Sequence, residues 1–417
     1  MLNKIKRKSL QTFKSLGVRN YRLYFIGQGI SITGTWMQTI AQTWLVLSLT
    51  HSATAVGLIS AAQFLPILLL GPLGGVIADR FDKRKLLYFT QSTSMILALV
   101  LACLVQFHLV QLWIIYVLAA CLGLVTMIDN PTRQSFVMEL VGPERLTNAV
   151  TLNSVEINLG RIIGPTIAGV LIASVGLGLC FFLNAASFVA VLICLALMDG
   201  RLLKKVKPTT KIKGQLSQGF RYIARTPILR DTLIMMALIG TFTYEFQVVL
   251  PVLASKTFHG SASLYAAFYS AMSVGSVVGG LITASLRRKV SLKALAITTL
   301  LFGFAMLAAS ATPTAMLTLV VMVVVGFVSI AFTAQANATL QLSSSPEMRG
   351  RVMSLWTVAF LGTTPIGGPI IGWISDVASP QAGLAVGAVA ALLAAAYGFY
   401  AASRSRSLPN PAISAQV

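Results

Sequence analysis

The chain has 417 residues, of which 56% are hydrophobic and only 10% charged, yet its formal net charge is +21. A soluble globular domain carries about 25% charged residues, so this composition excludes one and points to a protein dissolved in a bilayer. The basic residues fall at the termini and in every second loop rather than along one face, which excludes a nucleic-acid surface.

Residues 1–21 are basic and read as a cytoplasmic lead-in whose apolar continuation is far too long for a cleaved signal peptide. Twelve apolar stretches follow, each about as long as the hydrocarbon core is thick. They run over 22–49, 55–78, 86–106, 111–136, 146–173, 178–199, 229–256, 263–286, 291–311, 314–341, 350–376 and 380–402. None alternates apolar and polar residues, so helices are expected rather than barrel strands. Between the sixth and seventh spans, 201–228 is rich in Lys and Arg, holds no acidic residue, and reads as a cytoplasmic linker resting on anionic headgroups. Residues 404–417 form a cytoplasmic tail. Thirty of the 32 Lys and Arg lie at the inner ends of spans or beyond them, the exceptions being Arg161 and Lys256. That asymmetry places both termini in the cytoplasm of a multi-pass protein of the cytoplasmic (inner) membrane.

The two halves repeat. GGVIADRFDKRK (74–85) aligns with GGLITASLRRKV (279–290), PERLTNAVTL (143–152) with PEMRGRVMSL (346–355), and GTWMQT (34–39) with GTFTYE (240–245). A duplicated six-span unit is therefore expected, with one helical bundle over 22–200 and a second over 229–403. Two parallel repeats of six helices are the plan of a rocker-type secondary transporter.

These stretches also carry a family resemblance. The loop after span 2 resembles the Gly-x-x-x-Asp-Arg-x-Gly-Arg-Arg signature of the major facilitator superfamily. Gly75, Asp79, Arg80, Lys83 and Arg84 fit it, and Asp82 stands where Gly is usual. GRIIGPTIAGV (160–170) resembles the Gly-Pro-rich antiporter motif of drug exporters at Gly160, Gly164, Pro165 and Gly169. Residues 128–150 resemble the branch that contains enterobactin and macrolide efflux proteins, although the Arg-centred motif that other drug exporters carry in span 4 is not evident. The resemblance implies an all-α integral membrane protein with the major facilitator fold, twelve helices in two six-helix bundles, working by alternating access. It also implies that Asp79 meets the positive N-terminal end of span 11 near Gly350 while Arg80 or Arg84 reaches an acid such as Glu139. Ala284 and Ser285 replace Asp79 and Arg80 in the second copy, so this latch is expected to be one-sided.

The chain has no phosphate-cradling Gly-x-x-x-x-Gly-Lys-Ser/Thr and no His-Glu-x-x-His. Its three His are isolated, its four Cys lie singly in apolar runs, and neither a metal nor any other cofactor is expected. Work against a gradient then falls to a coupled ion held by titratable groups inside the membrane. Eight of the 11 acids lie at span ends, which leaves Asp129, Glu156 and Glu245. Acids in lipid are costly unless paired or functional. Asp129 and Glu156 sit at similar depth on spans 4 and 5, with Arg133 one turn from Asp129 and Arg161 further along span 5. They read either as a static ion-pair cluster or as a proton relay. Glu245 has no basic neighbour at helical spacing, which suits either a proton carrier or a carboxyl satisfied by a hydroxyl or water. Trp36, Gln38, Gln42, Tyr244, Gln247, Gln335 and Asn337 come from spans 1, 7 and 10, which line the pore in proteins of this resemblance. They are expected to line a cavity for an amphipathic small molecule or to bond helices together.

The expected function is a monomeric, proton-coupled exporter of drugs or siderophores. The alternatives are an importer of the same fold, a membrane-embedded enzyme, or a non-transporting receptor.

Overall fold

The computed structural model describes residues 14–204, 215–285 and 291–406. The start of the basic lead-in, the middle of the linker, the duplicated loop at 286–290 and the end of the tail lie outside the described residues. The six spans of the first half form α1 (Arg19–Thr50), α2 (Ala53–Arg80), α3 (Lys83–Gln106), α4 (Leu112–Val141), α5 (Leu146–Ser174) and α6 (Leu177–Ala196). A linker helix, α7 (Gln215–Arg225), precedes α8 (Pro227–Phe242) and α9 (Phe246–Val252). Then come α10 (Ala262–Ser285), α11 (Leu292–Ser310), α12 (Ala315–Ser343), α13 (Pro346–Leu361), α14 (Thr364–Val377) and α15 (Pro380–Arg406).

Eleven spans among the described residues are long and apolar enough to cross a bilayer, with α8–α9 and α13–α14 each counting as one. The expected twelfth is α1. It has 32 residues, ample length for a span, but its amides and hydroxyls lower its apolar content. Gln28, Ser31, Gln38, Gln42 and Thr43 on this helix are all buried within the protein, so the polarity is spent on helix packing and not exposed to lipid.

Local chemistry sets the boundaries. The Ser52 hydroxyl accepts from Ala55 N–H at 3.2 Å and starts α2, and Asp82 does the same for Lys85 N–H at 3.1 Å at the start of α3. An N-cap needs a short acceptor side chain, which accounts for Asp82 where the signature has Gly. Each of the three His sits at or just past the end of a helix with left-handed backbone, φ 52° at His51, 56° at His108 and 50° at His259. They terminate helices, a place where His tolerates positive φ better than most residues do.

Spans 7 and 11 are not continuous. Span 7 unwinds at Thr243–Glu245 and ends in a π-helical turn over Leu253–Thr257, after Pro251. Span 11 breaks at Gly362–Thr363, with Pro365 in the first turn of α14. Proline lacks the N–H that an unbroken helix needs and is tolerated in a first turn.

Contacts divide the chain into two compact units. One comprises Met1–Thr210 with Ala254–Ser270, and the other Lys211–Leu253 with Ala271–Val417. In the first unit, Ser263 Oγ donates to the Gly169 carbonyl at 2.8 Å, the Thr166 and Ser270 hydroxyls lie 3.1 Å apart, and Ala266 packs where Gly169 lacks a side chain. Segment 254–270 thus packs on the C-terminal half of α5.

Candidate functional site

The acids of the first unit gather where α3, α4 and α5 approach α1. Asp129 is ion-paired with Arg133, one turn away on α4. Its Oδ1 also accepts from Thr90 Oγ1 at 2.6 Å and Gln91 Nε2 at 2.9 Å, both on α3. Arg133 in turn donates to Gln28 Oε1 on α1 at 2.6 Å. Asp129 therefore belongs to a connected buried network, in which Gln28 Nε2 and Gln91 Oε1 are left without a hydrogen-bond partner. Glu156 faces α1 from α5, with its Oε1 3.0 Å from the position a Gly29 Cβ would take. That oxygen is buried and has no hydrogen-bond partner. Arg133 is the cation that acts electrostatically on it.

Arg161 is not part of this network. Its guanidinium lies over the Trp36 ring, 5.0 Å from the centroid, and its Nε is buried without a partner. Trp36 continues into the Tyr269 ring, with 5.7 Å between centroids. At 1.5 Å per residue, Arg161 is about 20 Å from either end of α5, too deep for its side chain to reach a headgroup. No carboxylate pairs with it among the described residues. A charge at mid-span costs about 3 kcal/mol even on the mildest scale, and a cation–π contact returns about 1–2 kcal/mol, so the site remains short of a negative partner. Gly160 and Gly164 bring α5 this close to α1: a Cβ on the first would run into Ile32, and a Cβ on the second would lie 2.6 Å from the Thr33 carbonyl oxygen and beside Trp36. Pro165 is buried in the same helix.

Gln38 and Gln42 are bonded to each other at 3.3 Å, and Asn184 Nδ2 donates to Gln38 Oε1 at 2.6 Å. This polar chain joins α1 to α6.

In the second unit Glu245 stands at the break of span 7 and is 4% exposed. It hydrogen-bonds to the Thr364 side chain on α14, and its Oε1 has no partner. Gly367, one turn further along α14, packs directly on the Thr241 carbonyl, and Glu245 Oε1 is 3.0 Å from the position a Gly367 Cβ would take, so the two broken spans meet at this carboxyl. Tyr244 bonds through its hydroxyl to Ser329 O at 2.9 Å and Thr333 Oγ1 at 2.7 Å, with the Phe246, Phe302 and Phe360 rings around it. Gln247 is half-buried on α9. Gln335 accepts from Thr298 Oγ1 at 3.1 Å, whereas Asn337, two residues on, accepts from Gln341.

At the loop after α2, Glu139 pairs with Lys83, at 2.9 Å, and not with Arg80 or Arg84. Asp82 starts α3 so that Lys83 begins the helix and faces α4. Arg84 instead donates to the carbonyls of Leu195 at 2.6 Å and Met198 at 3.0 Å, at the C-terminal end of α6. A cation there meets unsatisfied carbonyls and the negative helix end. Arg80 is exposed and Asp79 half-buried at the end of α2. Gly75 faces open space, and the close approach of α2 to α4 is made by Gly74, which packs on the Met127 carbonyl. Gly74 is the close-packed glycine that motif reading misses, since two adjacent glycines look alike in sequence. Asn184, Thr90, Gln91 and Thr364 were missed because only the fold brings them to their partners.

The fold recurs in solved transporters. A bacterial homologue of the human lysosomal transporter Spinster, in an inward-facing and unoccupied conformation, superposes with a TM-score of 0.74 at 14% identity, over 94% of this chain and 99% of its own. A bacterial homologue of the iron transporter ferroportin gives a TM-score of 0.71 at 17% identity, over 93% and 99%. In sequence, the chain is 28% identical to the staphyloferrin A transporter of Staphylococcus aureus over 69% of this chain and 72% of that protein. It is 26% identical to the enterobactin exporter EntS of Citrobacter koseri over 88% of each. The profile of the family described as transmembrane secretion effector matches residues 11–410. The chain belongs to that family of the major facilitator superfamily and is a multi-pass secondary transporter of small molecules.

Proposed function

We propose that this transporter is a proton-coupled exporter. It moves an amphipathic small molecule, a siderophore or a drug, out across the cytoplasmic membrane in exchange for protons, as a monomer with both termini in the cytoplasm. The observation that carries the reading is the pair Glu156 and Glu245. Each is a buried carboxyl with one oxygen lacking a hydrogen-bond partner, and the two belong to different units. A resident metal cation takes several oxygen ligands, whereas a proton needs one, so an isolated carboxyl oxygen suits a proton. Asp129, locked to Arg133, Thr90 and Gln91, is the anchor of its network rather than the exchanging group. The exporter direction draws support from the family description and from EntS, and the siderophore class from both named relatives.

The test is an accumulation screen of siderophores and drugs in cells lacking their own pumps, with and without a protonophore. A substrate whose retention falls on expression, and recovers when the protonophore is added, is the expected result. Uptake that rises on expression would make the chain an importer, and indifference to the protonophore would remove the coupling.

A further inference from the structure

Arg161 is a cation in the middle of a membrane span with an unpartnered buried Nε. It is half-exposed, and a guanidinium at this depth does not face lipid, so its open side meets water or cargo. Glu156, five residues earlier on the same helix, is turned to Gly29 and Arg133, and Asp129 is committed to Arg133. Neither acid neutralises Arg161. The Trp36 ring lies beneath the guanidinium, its centroid 5.0 Å from the guanidinium carbon, and a cation seated on a ring face keeps its N–H groups for a ligand; Tyr269 extends the aromatic surface.

We propose that Arg161, seated on Trp36, is the recognition point for an anionic oxygen group of the cargo, a carboxylate or phenolate on a planar apolar body. A planar guanidinium fork matches such oxygens, and its aromatic seat matches such a body. This deepens the exporter reading and rests on it. It narrows the cargo to anions and sets cationic drugs outside the class that this site favours.

The experiment uses the full chain in nanodiscs and two shape-matched probes, salicylate and its neutral amide, with binding followed by saturation-transfer NMR. Salicylate is expected to bind saturably and at least about tenfold more tightly than salicylamide. Arg161→Gln is expected to weaken salicylate by about tenfold or more and leave salicylamide unchanged. Arg161→Lys keeps the charge without the fork and should lose less than that. A purely structural Arg161 moves both probes together. Equal binding of acid and amide, no saturable salicylate binding, or an Arg161→Gln protein that binds salicylate as wild type does would each overturn the proposal. Should Arg161→Gln fail to fold, the acid-to-amide ratio of wild type and the Lys variant decide. Binding needs no gradient, so absence of flux, which would sink the exporter reading, is scored separately from loss of charge preference.

Discussion

Glu245 occupies the one non-helical turn of span 7, bonded to Thr364 through one oxygen and unpartnered at the other. Amide replacement there keeps the size and the Thr364 contact but removes the proton site. Glu245→Gln is therefore expected to reach the membrane at wild-type levels, to keep substrate counterflow, and to lose transport driven by a pH gradient. The His make a contrast. They end helices, so His51→Asn and His259→Asn, which keep a residue tolerant of positive φ, should leave the pH dependence of transport unchanged. The first-unit acids separate in the same way. Asp129→Asn strands Arg133, and breaking one side of a buried pair costs about 3–5 kcal/mol, so the thermal midpoint in detergent should fall sharply. Glu156→Gln leaves no ion pair broken and should melt near wild type. All three acids were legible in the sequence because charge is rare inside spans. What each one touches was not, since Thr90, Gln91, Gly29 and Thr364 are brought in by other helices. The Glu139 partner was misread for the same reason. Whether Lys83 or Arg84 faces α4 depends on where Asp82 starts the helix, and a one-residue difference turns the side chain by about 100°.

At the level of helices, apolar length alone located the spans, and α1 was legible although its buried polar residues keep it below a purely apolar threshold. Breaks in spans 7 and 11 were less visible. Pro251 and Pro365 were there to be read, but the unwinding lies six residues before Pro251, at a carboxyl that would otherwise sit inside a helix. Gly367 seals the contact between the two broken spans by packing on the Thr241 carbonyl. A methyl group cannot be accommodated there without moving one backbone against the other, and overpacking of this kind costs about 1–3 kcal/mol or more. Gly367→Ala is expected to lower the thermal midpoint and to impair transport even though Glu245 is intact. Gly75→Ala, facing open space, should do neither; a melting scan of the two variants in one detergent checks both.

Across the whole molecule, apolar spans, duplication and family motifs were enough to read an all-helical secondary transporter, because the repeat follows from aligned glycine and loop motifs. The association of 254–270 with the first unit was not legible. It depends on Ser263, Ala266 and Ser270 meeting Gly169 and Thr166, a fit between surfaces that no single-helix pattern encodes. The exporter account turns on whether proton flow and substrate flow are joined through Glu245. The most direct measurement is substrate flux in proteoliposomes with an imposed pH gradient and no membrane potential, comparing wild type with Glu245→Gln. The account expects wild type to accumulate substrate against its gradient on the side from which protons flow, and the variant to exchange substrate without accumulating it. Equal accumulation by both proteins, or accumulation that ignores the pH gradient, would contradict it.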